Sequence, residues 1–212
     1  SASATWEFPL YTYYHDARTQ VIYPASDLAR TGMITSLALD VTTIPGQTMN
    51  NWTIRMKHTT LGAYSAPAWE GTGWTTVYQK NETITNTGWV TFAFGTPFWF
   101  NGTNNLMIDF CFNNSSWTRS GATRGSTPGG ARTIYYCTDS GYGDPLTWSD
   151  ASTPVPWQSP TVPDIRLGFG LPVAVTPTAS GIFVDGTWTG SVAVLEEVAG
   201  VAGGDAPLLV VV

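Results

Sequence analysis

An all-β fold is what this 212-residue sequence predicts: a jelly-roll-type antiparallel β-sandwich with a small C-terminal β appendage. Three observations carry that expectation. Helical periodicity is nearly absent, while apolar and polar residues alternate over many short runs. Gly, Pro and Asn signals separate those runs. Charged residues make up only 11% of the chain, against about 25% in ordinary globular domains. Thr, Ser, Asn and Gly must then cover the surface, as in extracellular β-proteins.

The strands follow in order. Alternation is clearest at Ile34 to Val41, Trp52 to Lys57, Trp89 to Phe94 and Leu106 to Phe112. Shorter runs at Trp74 to Tyr78, Thr133 to Tyr136 and Ile165 to Phe169 predict further strands. Pro45-Gly46, Asn101-Gly102, Pro128-Gly129-Gly130 and Asp144-Pro145 mark turns between them. Within the sandwich, Phe92, Phe94, Ile108 and Phe110 should point into the core, because they alternate with Thr91, Ala93 and Asp109. Composition shifts after Phe169, so a sandwich domain is expected over 1–171 and a short appendage over 172–212. Ile182-Phe183-Val184, the turn Asp185-Gly186 and the run Trp188 to Leu195 read as a hairpin. The appendage holds no Lys or Arg and closes on Leu208-Leu209-Val210-Val211-Val212. Such a run has the composition of a strand buried on both faces. It needs a partner surface, in its own chain or in a neighbour.

Nine basic residues against fifteen acidic ones leave a net charge of −6. No Lys/Arg patch exists to neutralise phosphates, so nucleic acid is not an expected partner. No stretch reaches the roughly 18 apolar residues of a spanning helix. Ser1 to Thr5 resembles the small-residue flank of a signal-cleavage site, which agrees with a secreted location. Cys111 and Cys137, an even pair, are expected to form a disulfide, the alternative being two separate buried thiols. Closing that loop would contribute about 3 kcal/mol.

The motifs of enzymes are missing. There is no Gly-x-Ser-x-Gly elbow, no His-Glu-x-x-His and no phosphate-cradling glycine loop. His15 and His58 are the only histidines. No pair of carboxylates alternates on one strand as a glycosidase cleft would need. Asp109 sits mid-strand and is expected to face solvent or to bond a neighbouring strand. No cofactor is expected, with one weak exception. Asp139 and Asp144, spaced by glycines, can offer oxygen ligands to Ca²⁺, although a plain turn is the better explanation, since Gly and Asp are default turn formers.

Aromatic residues carry more information. Tyr11 to Gln20 packs rings beside His15, Asp16 and Arg18, either as part of a sugar site or as an edge strand with a local Asp16–Arg18 pair. Trp52, Trp74 and Trp89 open strands and read as core. Trp69, Trp117, Trp148 and Trp157 lie in Gly/Ser/Pro-rich loops. A glycan platform is expected from Tyr142, Trp148 and Trp157. Asn51, Asn81, Asn101, Asn113 and Asn114 begin glycosylation sequons.

The runs Tyr13 to Gln20, Asn50 to Thr59, Gly73 to Tyr78, Asn104 to Phe110 and Tyr142 to Leu146 resemble a β-sandwich accessory domain of large secreted or surface-attached bacterial proteins. That resemblance spans about residues 5 to 170. Val184 to Gly190 resembles the start of a shortened immunoglobulin-like repeat. Neither brings a family-wide ligand; they imply an extracellular, non-catalytic role. Two functions are expected from the whole. The first is a structural subunit that polymerises with copies of itself by strand addition through Leu208 to Val212. The second is a carbohydrate-binding or adhesive module whose partners are surface or extracellular glycans.

Overall fold

The computed structural model describes residues 4–139, 141–149 and 154–170, and the backbone of 178–184 and 187–193. Two compact units divide the chain, Ser1–Gly170 and Leu171–Val212.

The first unit is the sandwich. Its strands are β1 (Ala4–Trp6), β2 (Asp16–Tyr23), β3 (Gly32–Thr43), β4 (Met49–Thr59), β5 (Thr75–Glu82), β6 (Gly88–Phe100), β7 (Asn105–Asn113), β8 (Ala122–Ser126), β9 (Thr133–Thr138), β10 (Trp157–Ser159), β11 (Val162–Pro163) and β12 (Ile165–Phe169). Among the described residues helix is confined to one turn, α1 (Ala25–Leu28), and a 3-10 turn at Pro145–Thr147. In one sheet β3 pairs with β6, β8 and β12, and β8 pairs in turn with β1 and β11. The other sheet runs β10-β9-β2-β7-β4-β5. All these pairings are antiparallel. Most connections cross from one sheet to the other, which is how Greek-key sandwiches are wound.

Period-two alternation fixes the core. Val21, Ile54, Ile108 and Phe110 of one sheet meet Ile34, Leu37, Leu39 and Phe92 of the other, with Trp52 fully enclosed among them. Phe94 is only partly buried, because β6 bulges there: Ser36 pairs with Ala93 while Ile34 pairs with Phe98. Three residues that open or precede strands fare differently. Trp52 is core, Trp74 is half-buried, and Trp89 stays on the surface with the Arg166 guanidinium 4.0 Å from its ring centre.

The middle of the second sheet, β2 and β7, is buried on both faces. On its outer side Ile22, Met107 and Ile134 join Tyr64, Trp69 and Trp148 in a second apolar cluster. The covering residues come from the segments after β4 and after β9. This explains why every residue from Leu106 to Phe112 is buried, although its neighbours in sequence suggested a half-exposed strand.

The same register rules out the expected disulfide. Cys111 lies opposite Arg18 on one side of β2, and Cys137 lies opposite Ala17 on the other. Facing pairs share a face and successive residues alternate, so the two thiols point to opposite faces of the sheet. Two strand spacings, about 9–10 Å, also separate them, beyond the reach of a bridge. Both are free and buried. Burial raises both thiol pKa values, Cys137 to about 12.

In the second unit Thr178–Val184 (β13) and Thr187–Ala193 (β14) form an antiparallel hairpin, with Val184 opposite Thr187. The strands flank the Asp185-Gly186 position read as the turn. The expected assembly strand, Leu208 to Val212, lies outside the described residues.

Candidate functional site

Arg18 and Asp109 explain what the outer loops cover. Arg18 Nε donates to Asp109 Oδ1 at 2.9 Å, and Arg55 Nε donates to Asp109 Oδ2 at 2.8 Å from the far side. Asp109 is thus buried and bonds both neighbouring strands, so the solvent-facing expectation for it is corrected. Arg18 also donates to the carbonyls of Pro145 and Trp148, and its guanidinium lies 4.7 Å from the Trp69 ring centre. Such a buried ion cluster is costly unless its remaining donors find acceptors. The loop after β9 supplies two for Arg18 Nη1 and is thereby fixed, while Arg18 Nη2 stays buried without a hydrogen-bond partner. Trp148 is 2% exposed and donates its indole N–H to the Tyr142 carbonyl at 3.1 Å. It is a lid residue and cannot be part of a platform. Trp69 is equally buried, donating to the Pro154 carbonyl at 2.8 Å.

Around this fixed frame a chain of rings reaches the surface. Trp117 meets Tyr13 at 5.5 Å between ring centres; Tyr13 meets Tyr11 at 6.2 Å and Tyr14 at 5.9 Å. Tyr11 rests on Phe8 at 5.2 Å, and Phe8 on Tyr135 at 4.4 Å. From Tyr135 the chain continues to Trp157 at 5.8 Å, to Tyr136 at 4.8 Å and to Tyr142 at 6.3 Å. Phe8 is core and anchors the row. Its ends are open: Trp117 is 57% exposed, Tyr13 50%, Trp157 51% and Tyr142 40%. Tyr14 also lies close enough to Tyr136 to contribute to the raised pKa of that phenol, after desolvation and Tyr142.

Local sequence explains why these rings hold still. The turn carrying Tyr11 to Tyr14 is laced to the loop after β7. Thr118 N–H donates to the Thr12 carbonyl at 2.9 Å, Thr12 Oγ1 to the Arg119 carbonyl at 2.8 Å, and Gly121 N–H to the Leu10 carbonyl at 3.0 Å. Gly121 is required for that lacing, since a Cβ there would stand 2.7 Å from Pro45 Cγ and 2.8 Å from the Leu10 oxygen. Trp157 is set by its register opposite Tyr135 on β9.

The expected edge strand with an Asp16–Arg18 pair is also corrected. β2 is central, between β9 and β7, and Arg18 pairs with Asp109. Asp16 is 8% exposed, and its Oδ1 has no hydrogen-bond partner. Burial first, then Asp144 and Asp139, push its pKa up to about 7. Asp139 accepts the His15 N–H at 2.9 Å, and Asp144 caps the 3-10 turn by accepting from Leu146 N–H at 3.0 Å. Among the described residues no group of three or more His, Cys, Asp or Glu is arranged to hold a metal, so the Ca²⁺ expectation at Asp139 and Asp144 gains no support.

The histidines are apart from each other in role. His58 stacks on Phe100 and accepts the Asn101 N–H at 3.2 Å, and burial lowers its pKa. Of the sequon asparagines, Asn81 is exposed and accepts the Asn51 N–H. Asn101 accepts from Thr103 and Asn104 N–H, and Asn113 is half-buried. Asn114 is buried, its Oδ1 holding the Asn50 N–H at 2.7 Å, which leaves a sugar no room in the folded chain.

Tyr142 and Trp157 are therefore exposed, Trp148 is buried, and Tyr13, Tyr14, Trp117 and Tyr136 belong to the same chain of ring contacts. The signal for Tyr13, Tyr14 and Trp117 was in the sequence as the Tyr11 to Tyr14 cluster and the Gly/Ser loop around Trp117. Nothing local showed that the two would meet. No protein-family model, curated protein or solved structure matches this chain.

Proposed function

We propose that the sandwich is a non-catalytic, extracellular carbohydrate-binding module, and that the ring row from Trp117 to Tyr142 is its contact surface. One observation carries this: large rings stand half in water yet are seated by β2, β9, β10 and two laced loops. A pyranose presents a C–H-rich face that packs on an aromatic ring, while its hydroxyls reach polar neighbours. Each such contact contributes about 0.5–1.5 kcal/mol. Several in a row on one polymer act together through effective concentration. Tyr and Trp held in place lose little rotamer freedom on binding. The low charge and the Thr/Ser/Asn-rich surface support an extracellular setting, and the resemblance to bacterial surface accessory domains agrees.

The test is a glycan array probed with the whole chain, followed by the Tyr13→Ala and Trp157→Ala variants. The expected result is binding to an extended glycan that each variant weakens by about 5–10-fold, one ring's contribution. An empty array, or binding indifferent to both variants, would refute it.

Self-assembly through Leu208 to Val212 is the alternative, and one observation favours it. The terminal strand β5 and the strand β6 flank an open groove lined by Thr76, Tyr78, Lys80, Ala93, Gly95 and Thr96. A donated strand could enter there. Lys80, Pro97 and the β6 bulge weigh against it, since all three blunt a sheet edge. Deleting 206–212 and measuring sedimentation distinguishes the two. Polymers lost on deletion mean assembly; a full-length chain that is monomeric at high concentration excludes it.

A further inference from the structure

The acid residues beside the ring row are placed to select its ligand. Three segments bring them there, and each brings a tyrosine as well: Tyr14 with Asp16, Tyr136 with Asp139, and Tyr142 with Asp144. Asp16 lies buried behind, its Oδ1 without a partner, and feels the other two carboxyls across space. The three do not converge on a point as metal ligands must. They form a negative end to an extended surface. Few basic groups oppose it among the described residues, and one of them, His15, already meets Asp139. Arg18 is turned under the loop to Asp109 and two carbonyls. The His15 imidazole stands 3.7 Å from Asp139. Arg119 is exposed only at the far end, two residues from Trp117.

Resting on the glycan-binding reading above, we propose that this acidic end, Asp139 and Asp144 with Asp16 behind them, selects a cationic amino-sugar polymer over neutral or N-acetylated ones. The rings hold the pyranose faces. Asp139, exposed and three residues along the chain from both Tyr136 and Tyr142, receives an ammonium group, and Asp144, joined by Asp16 where that carboxyl is ionised, deepens the negative potential around it. Ammonium groups are also drawn to the faces of Tyr and Trp rings, so both halves of the surface favour the same ligand. The chain's net charge of −6 adds attraction at longer range. Uronic-acid polymers carry the same sign of charge as this end and are repelled.

The experiment is a calorimetric titration of the whole chain with three hexasaccharides of one linkage: glucosamine, N-acetylglucosamine and glucose. The glucosamine hexamer should bind on the order of ten-fold tighter than the other two, the worth of one or two screened ion pairs. Added sodium chloride should narrow that gap. Asp139→Asn should narrow it as well, while Trp157→Ala should weaken the glucosamine hexamer without restoring equality. Asp144→Asn keeps the capping oxygen of the 3-10 turn and serves as a second probe. Equal binding of all three hexamers overturns the charge selection and leaves the ring surface standing. Absence of glucosamine-hexamer binding overturns it too, and the array then decides the glycan reading separately. A gap unmoved by both salt and Asp139→Asn also overturns it.

Discussion

Two sets of aromatic residues, both carried largely on Gly/Ser/Pro-rich loops, end up in opposite environments in this molecule. Trp69 and Trp148 are shut beneath the loops over the second sheet, whereas Trp117, Tyr13, Trp157 and Tyr142 stand in water. The difference lies in what is underneath. Arg18 and Asp109 project from the outer face of the sheet and cannot remain buried without carbonyl acceptors and ring faces. The loops that supply these bring Trp69 and Trp148 down with them. The surface rings have no such demand beneath them; Phe8 and Tyr135 already complete the core there. A loop tryptophan is thus structural where it closes a buried ion cluster, and free to bind where the core beneath is finished.

The largest expected effect strikes the covered side. Asp109→Ala leaves two arginines without their shared carboxylate and should cost about 3–5 kcal/mol, read as a drop in the urea midpoint. Trp148→Ala, which opens the lid and exposes Arg18, should destabilise by about 3–5 kcal/mol. The matching substitutions at Trp117 and Trp157 should change stability by under about 1 kcal/mol, as surface substitutions do. Equal losses for Trp148→Ala and Trp157→Ala would erase the distinction between lid and surface.

A smaller effect comes from Asp16, at the border between the two sets. Its folded pKa of about 7 lies above its ordinary value of 3.8. Between these values the folded chain holds more protons than the unfolded one, so this group's contribution falls as pH rises from about 4 to about 7. Asp16→Asn should therefore raise stability at about pH 8 by on the order of 1–2 kcal/mol, less than the full shift implies because solvent screens part of it. Near pH 4 the two proteins should unfold alike. A variant no more stable than the parent at alkaline pH would show that the carboxylate is not penalised. Smallest of all is the response of the thiols. Intact mass should be the same with and without reductant, and Cys111 and Cys137 should react with a thiol reagent only after unfolding.

Much of the fold was legible in the sequence because alternation has a direct structural meaning. Phe92, Ile108 and Phe110 face the core where period two puts them. Phe94 departs because a bulge in β6 is set by pairing with β3, not by its own neighbours. Alternation also says nothing about a second cover. Asp109 reads as outward, and it is, but the outward face is roofed by Tyr64, Trp69 and Trp148 from loops distant in sequence. The disulfide failed for a related reason: two strands flanking a loop need not be neighbours, and β2 lies between β7 and β9. Of the candidate site, Tyr142 and Trp157 were legible as exposed loop rings. Trp148 was not, since its burial depends on Arg18, whose need for carbonyl acceptors no local pattern records. The junction of Tyr13 with Trp117 depends on the lacing of two distant loops and was equally out of reach.

The central claim, that the exposed ring row is a glycan surface, is tested most directly by calorimetric titration with an array-selected glycan. Two double variants serve as the comparison. Trp117→Ala/Trp157→Ala removes rings from the row, whereas Trp89→Ala/Trp99→Ala removes exposed rings elsewhere on the sandwich. The account predicts that the first pair weakens binding by about 25–100-fold, two rings' contribution, and the second leaves affinity unchanged. Binding lost equally from both pairs, or kept in both, would contradict it.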